Sequence, residues 1–244
     1  MYFVNIYINK EMSMKRFIKS LFFLVFLVFL SVFAFSLNFE IGDPVIYKSL
    51  VIFPVINPES QEPPHDYITL ADALAEDLLD IKEIDEGGSV NTLSATNKSN
   101  RYIYLMAGDI IEGAKQNRTI GVDVILKPLA KNVKIPVFCV EQGRWTYASD
   151  EFSSRNKVAT GKVRSAANYD GNQSQVWTEV SKTNSLLNTQ NETDALTEMY
   201  DSEEIIKKVK EIKTKFIDLP SKNPKMVGVV VFIGKDGILD VFGN

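Results

Sequence analysis

The sequence predicts an α+β domain: an antiparallel β-sandwich or jelly-roll-like body, a helical layer toward the C-terminus and a final β-hairpin. Three observations predict it. Between residues 45 and 141, short apolar runs alternate with turn signals, the pattern of an antiparallel all-β body. Between residues 172 and 216 the apolar spacing changes to every third or fourth position. The run MVGVVVFIGKDGILDVF, Met226 to Phe242, carries two strand-like halves around Lys235-Asp236-Gly237, a hairpin turn signal.

The elements follow in order. Val45 to Val55 is apolar, lacks helix caps and leads into Pro-rich sequence, so it reads as an opening strand. Thr69 can cap a short helix through Ala73, Leu74 and Leu78, with Asp72 in the first turn where the helix dipole favours an acid. Leu79 to Ile84 alternates as a half-buried strand and ends at a Glu86-Gly87-Gly88 turn. Val90 to Ala95, Tyr102 to Met106, Ile110 to Ile111, Thr119 to Leu126 and Lys134 to Glu141 follow as short strands. Residues 146–171 are polar and poor in large apolar side chains, which predicts a flap or long loop with room for local helix. Val176, Val180, Thr183 and Leu187 mark one helix starting near Asn172. A second runs from a Ser202 cap to Phe216, with Ile205, Val209, Ile212 and Phe216 as its buried stripe.

The N-terminus speaks about location. Lys15, Arg16 and Lys19 precede an apolar run from Leu21 to Phe35, and Ala34-Phe35-Ser36 offers a small-x-small cleavage site, so residues 1–36 read as a secretory signal. The run is about fifteen residues where a spanning helix needs about twenty, so membrane association is expected only through an uncleaved signal. The expected localisation is exported: periplasmic, cell-envelope or extracellular. Residues 37–244 are then a single globular domain, with the C-terminus read as possibly truncated because a terminal strand leaves a sheet edge open. Residues 1–36 carry a net charge of +3, so the overall −4 leaves −7 on the remainder. That balance disfavours nucleic acid as a partner.

Cys139 is the one cysteine, so no internal disulfide is available and the fold rests on its packed core. His65 is the one histidine and lies in NPESQEPPHDY, a connection. A histidine-based metal site or triad is therefore not expected. Asp72, Glu76, Asp77 and Asp80 lack calcium-loop spacing, and no metal or cofactor is expected. Asn97, Asn117, Asn172 and Asn191 head Asn-x-Ser/Thr sequons.

Chemistry concentrates in residues 108–145. Lys115, Gln116, Asn117 and Arg118 precede one strand, and Glu141, Arg144 and Trp145 follow another. Pleat parity puts Arg118 and Ile120 on one face and Val137, Cys139 and Glu141 on one face of the other strand. Arg118 is then expected at the rim of the core, with Arg144 meeting it across Glu141. Guanidinium forks, amides and an aromatic wall suit a small polar or anionic ligand, nucleotide-like or a sugar phosphate. The alternative is a buried Arg–Glu network that fixes strand ends and binds nothing. Cys139 is a candidate nucleophile only if a base or positive charge stabilises its thiolate, and otherwise a small core filler. Gly108-Asp109 and Gly113-Ala114-Lys115 match no phosphate-loop fingerprint. Arg164, Gln173, Gln175 and Trp177 are placed to close over the same pocket.

The strings GDIIEGAKQNRTI and IPVFCVEQGRW, with Gln173-Ser174-Gln175-Val176-Trp177 after them, resemble the ARG and Rhodanese-Phosphatase-superfamily-associated protein domain, where ARG denotes ADP-ribosylglycohydrolase. The resemblance covers about Val45 to Phe242. It implies no firmly assigned activity, and it singles out Gly113, Lys115, Gln116, Asn117, Arg118, Cys139, Glu141, Arg144 and Trp145. It also implies a closing helical segment after the tail hairpin, which this sequence lacks.

Two other functions remain open at this point. One is hydrolysis of a phosphate or glycosidic bond with Glu141 as acid or base and the arginines stabilising negative charge. The other is an envelope protein-interaction module using residues 146–171.

Overall fold

The computed structural model describes residues 38–61, 65–84, 91–149 and 151–242. The signal segment and the Glu86-Gly87-Gly88 turn lie outside the described residues. In chain order the elements are β1 (Glu40–Ile41), β2 (Val45–Tyr47), β3 (Leu50–Ile56), β4 (Tyr67–Thr69), α1 (Leu70–Ala75), β5 (Leu79–Glu83), β6 (Thr92–Asn97) and β7 (Tyr102–Leu105). Then come β8 (Ile110–Gly113), β9 (Arg118–Ile120), β10 (Val124–Leu126), β11 (Val133–Cys139), β12 (Phe152–Ser153), α2 (Gly161–Asn168) and α3 (Gln173–Leu187). A 3-10 turn (Leu196–Asp201), α4 (Glu203–Phe216), α5 (Leu219–Lys222), β13 (Met226–Ile233) and β14 (Asp236–Val241) complete the chain. The fold is α+β with mostly antiparallel sheets, as the alternating runs predict.

Two compact units divide these elements: residues up to Gln61 together with those from Asp218, and Glu62–Ile217. The first is one antiparallel sheet in the order β1-β3-β13-β14, with β2 also on β3. The expected single strand over 45–55 is two strands, because the chain reverses at Lys48-Ser49 and Tyr47 pairs with Leu50. Lys48 takes the left-handed backbone (φ 55) that such a tight reversal demands, without the glycine or asparagine that would have signalled it. The final hairpin forms, but it turns at Gly234-Lys235, so that Ile233 pairs with Asp236 and Gly237 lies in β14 and not in the turn.

The second unit holds a six-stranded sheet in the order β12-β8-β9-β11-β6-β5. Its edge strands β12 and β5 approach each other, which nearly closes the sheet into a barrel. A three-stranded sheet, β10-β7-β4, carries the parallel pair β4–β7. The expected Thr119–Leu126 strand breaks at Gly121-Val122-Asp123 into β9 and β10, which join different sheets. Period-two alternation runs straight through this corner, so it hides the break.

Alternate residues of one strand feed two cores. Ile135 and Val137 on β11, with Ile111 on β8, pack with Leu79, Ile81, Leu93, Ile103 and Leu126 inside the barrel. Val140 and Ile110 point the other way, against Val163, Ala166, Val176, Val180 and Leu196. Full burial of each large aliphatic stabilises by about 1.5–3 kcal/mol. The two clusters give the Glu62–Ile217 unit, which has no disulfide, its cohesion.

Residues 146–171 hold the local helix for which the sequence left room, and a short strand besides. They contribute β12, which pairs with β8, and α2, whose Val163, Ala166 and Ala167 are buried. Small apolar residues do the packing there, and small residues were what made the segment look polar. α4 departs from the expectation. None of its residues is buried; Ile206 and Val209 are each 51% exposed and only Ile205 packs against the second core. Its amphipathic stripe is real in sequence but faces out. α3 starts where the apolar spacing placed it, and the structure adds a cap: the Asn172 side chain accepts from the backbone N–H groups of Ser174 and Gln175. Thr69 caps α1 the same way through Asp72.

Asn97 locks the β6–β7 connection. Its amide nitrogen donates to the carbonyls of Arg101 (2.7 Å) and Lys127 (2.9 Å), and its oxygen accepts from the backbone and hydroxyl of Ser99. Replacement by alanine strands these buried partners, so Asn97→Ala should lower unfolding free energy by about 2–4 kcal/mol in urea titration. Val209→Lys, on the exposed face of α4, should change it by less than about 0.5 kcal/mol in the same assay.

Candidate functional site

The β8–β9 connection is built to bring backbone close to backbone. Gly113 has φ +125, and a side chain there would reach within 2.5 Å of the Glu151 carbonyl oxygen. The chain then crosses Ala114, Lys115, Gln116 and Asn117, all buried, before entering β9 at Arg118. β9 pairs with β11 so that Arg118 faces Cys139 across the ladder. The two clusters that the sequence singled out are therefore neighbours.

Glu141 and Arg144 form the frame. Arg144 donates from Nε to Glu141 Oε1 (2.9 Å) and from Nη2 to Oε2 (2.6 Å), a two-pronged charged pair. Its remaining N–H groups go to the Ala114 carbonyl (2.7 Å), the Thr146 carbonyl (3.0 Å) and Asn117 Oδ1 (3.2 Å). Glu141 also accepts from the Asn117 backbone N–H (3.0 Å) and the Thr193 hydroxyl (3.0 Å). Both side chains have their hydrogen bonds filled. Burial works to raise the Glu141 carboxyl, but the bonds from Arg144, Asn117 and Thr193 outweigh it and hold it below the ordinary 4.5.

Arg118 differs. Its side chain is fully buried, at 0% exposure, and not at the rim that pleat parity suggested. The parity was right about the face; Trp145 covers the end, its ring 5.7 Å from the guanidinium carbon. Nη1 donates to Gln116 Oε1 (3.1 Å), and Gln116 is itself anchored on the Glu141 carbonyl (2.9 Å). Nε and Nη2 have no hydrogen-bond partner among the described residues. Glu83 stands 3.7 Å from Nη2, with both carboxylate oxygens equally without a hydrogen-bond partner there. Burial pushes the guanidinium below its ordinary value, and the facing Glu83 opposes that. Lys115 Nζ lies 5.3 Å from the Trp145 ring and 5.2 Å from the Tyr147 ring, and both rings are exposed at their outer faces.

Cys139 is buried and its thiol donates to the Glu141 carbonyl (3.0 Å). Burial pushes that thiol up from its ordinary value, so the protonated form is favoured. Gln173, from the first turn of α3, accepts from the Cys139 backbone N–H (2.8 Å) and donates to the Cys139 carbonyl (2.9 Å). Arg164 lies elsewhere, against Gly108. Trp177 lines an open groove of about 780 Å³ along α3, with Gln142, Ser174, Thr178, Ser181 and Lys182. Asn97 and Asn117 use their amide nitrogens inside the fold, so neither sequon can carry a glycan in the folded state.

Sequence reasoning missed Glu83, Thr193 and Tyr147. Glu83 had a signal: it follows Leu79 and Ile81 at spacing two, so it shares their buried face. Thr193 and Tyr147 had none. A second carboxylate, Asp109, accepts from the Met106 backbone N–H (2.9 Å). Burial is the main cause raising it to about 6, with Arg164 opposing and Asp123 reinforcing. Among the described residues no group of three or more His, Cys, Asp or Glu side chains could hold a metal ion, and no helix is long and apolar enough to cross a membrane.

A family model for the ARG and Rhodanese-Phosphatase-superfamily-associated Protein domain matches residues 38–244. The chain belongs to that family. Comparison with curated proteins and with solved structures gives no match. The GAKQNR and CVEQGRW strings that carried the resemblance are the ones this member folds into the Glu141–Arg144 frame.

Removing one partner of the frame leaves the other charged and buried. Arg144→Ala should cost about 3–5 kcal/mol by urea unfolding. The two carboxylates set opposite pH slopes. Glu141, depressed in the fold, contributes stability in full above about pH 4.5 and loses it as pH falls through its lower folded value. Asp109, raised from 3.8 to about 6, has the reverse sign: stability falls as pH rises between those values. Unfolding titrations across pH 3–7 should therefore show Glu141→Gln losing the acid-side slope and Asp109→Asn losing the fall between about 4 and 6.

Proposed function

We propose that this domain binds a small polar ligand at the Trp145–Tyr147 face, with Arg118 as the recognising group and Lys115 beside it. Glu141, Arg144, Gln116 and Asn117 position that face and do not touch the ligand. The single observation that carries this reading is the Arg118 guanidinium. A buried arginine normally has its donors matched. Here Gln116 fixes one nitrogen, while the Nε–Nη2 edge, the fork that suits two acceptors at once, keeps no hydrogen-bond partner among the described residues. The exposed Trp145 ring supplies stacking area over the guanidinium, and the Tyr147 ring continues that face beside Lys115. The Lys15, Arg16 and Lys19 region and the apolar run after it support a location outside the cytoplasm.

Hydrolysis with Glu141 as acid or base finds less support. A general acid at neutral pH needs a raised carboxyl, whereas Glu141 accepts four hydrogen bonds and is held low. An interaction module built on residues 146–171 finds less support too, since Phe152 on β12 and Val163, Ala166 and Ala167 on α2 are buried in the fold.

Native mass spectrometry of the purified protein tests the reading. Wild type should carry a bound small molecule that Trp145→Ala and Arg118→Lys lose while keeping the wild-type circular dichroism spectrum. Retention of the same added mass by both folded variants would place the ligand elsewhere.

A further inference from the structure

We propose that the Arg118–Glu83 pair selects a neutral ligand group that offers a hydrogen-bond acceptor and a donor side by side, such as paired sugar hydroxyls or a carboxamide, in preference to an anion. This rests on the reading of the Trp145 face as a ligand site and gives that ligand its chemistry.

The argument begins with charge. A lone buried guanidinium calls for an anion. Arg118 is not alone: the Glu83 carboxylate, with a side chain only 7% exposed, stands 3.7 Å from its Nη2. That distance is within Coulomb attraction but beyond a hydrogen bond. Each partner is thus neutralised without being satisfied. Nε and Nη2 still have protons to give, and both Glu83 oxygens still have lone pairs to fill. An anion binding to the guanidinium edge would come up against the Glu83 carboxylate in a low-dielectric setting and be repelled. A cation would be repelled by Arg118 in the same way. A neutral group with acceptor and donor adjacent meets neither penalty. Its acceptor takes the Nε–Nη2 fork, and its donor turns to Glu83.

The surroundings hold the pair in this state. Nη1 is tied to Gln116, and Gln116 to the Glu141 carbonyl, so the guanidinium cannot rotate to close the gap. Glu83 is fixed on β5, whose partner Leu93 sits at the centre of the barrel core. Trp145, 43% exposed, lies over the guanidinium and supplies the face on which a ligand group stacks as it meets the Nε–Nη2 edge.

Arginine side chains give individual Nε–H signals in nitrogen-15 spectra, and Arg118→Lys assigns the one concerned. The probes are D-ribose, acetamide and inorganic phosphate, each titrated into the whole protein. Ribose or acetamide should move the Arg118 Nε–H and Trp145 indole N–H signals saturably, and phosphate should not. Which of the two neutral probes acts distinguishes hydroxyl from amide recognition. Glu83→Gln should weaken the neutral probe about tenfold or more and admit phosphate. If that variant does not fold, Trp145→Ala, at an exposed position, should remove the neutral probe's effect on the Arg118 signal. Saturable shifts with phosphate alone in the wild type would overturn the inference and leave the ligand-binding reading standing. No shift with any probe would overturn both.

Discussion

One carboxylate organises this fold's busiest corner. Glu141 accepts from the Arg144 side chain, the Asn117 backbone and the Thr193 hydroxyl, so three distant stretches of chain meet on two oxygens. Arg144 spreads the effect by reaching the carbonyls of Ala114 and Thr146. The loop before β9 and the loop after β11 are thereby fixed against each other. Charges buried like this rarely add net stability over a well-packed apolar equivalent, but they fix register because few alternative arrangements satisfy them. Gln116, Arg118 and Trp145 take their positions from that fixation.

The frame and the pair beside it divide labour by saturation. Every donor and acceptor of the first is used, which makes it scaffold. The Arg118–Glu83 pair has the same chemistry and similar burial, yet keeps unmatched atoms. Residue type alone does not separate the two roles. Two arginines of one sequence cluster end up as a brace and as a recognising group because one has carbonyls within reach and the other has only Gln116 and a carboxylate slightly too far away.

Much of the architecture was legible in the sequence. Most of the strands, α1 with its Thr69 cap, the start of α3 near Asn172 and the final hairpin follow from period, caps and turn signals. What stayed hidden had physical causes. The β2–β3 reversal uses Lys48 in a left-handed backbone, a position where glycine or asparagine would have been the signal. The β9–β10 corner keeps alternation while changing sheets. α2 buries alanines, which weigh little in any apolar pattern. α4 has the stripe of a buried helix and exposes it, because amphipathicity records what a helix can bury and not what is there to cover it. At the site, the cluster was legible as residues in one neighbourhood. The assignment of roles was not, since it turns on which atoms find partners across 24 to 80 residues of chain.

The Gln173 side chain has a consequence for how the barrel wall ends. Its amide gives and takes one hydrogen bond with the Cys139 main chain, the same exchange that a neighbouring strand would make. The last rung of β11 is therefore filled by a side chain from a helix. A foreign strand seeking to add itself at that rung finds no main-chain groups left to pair with, and the helix that supplies the plug is pinned to the sheet by the same two bonds.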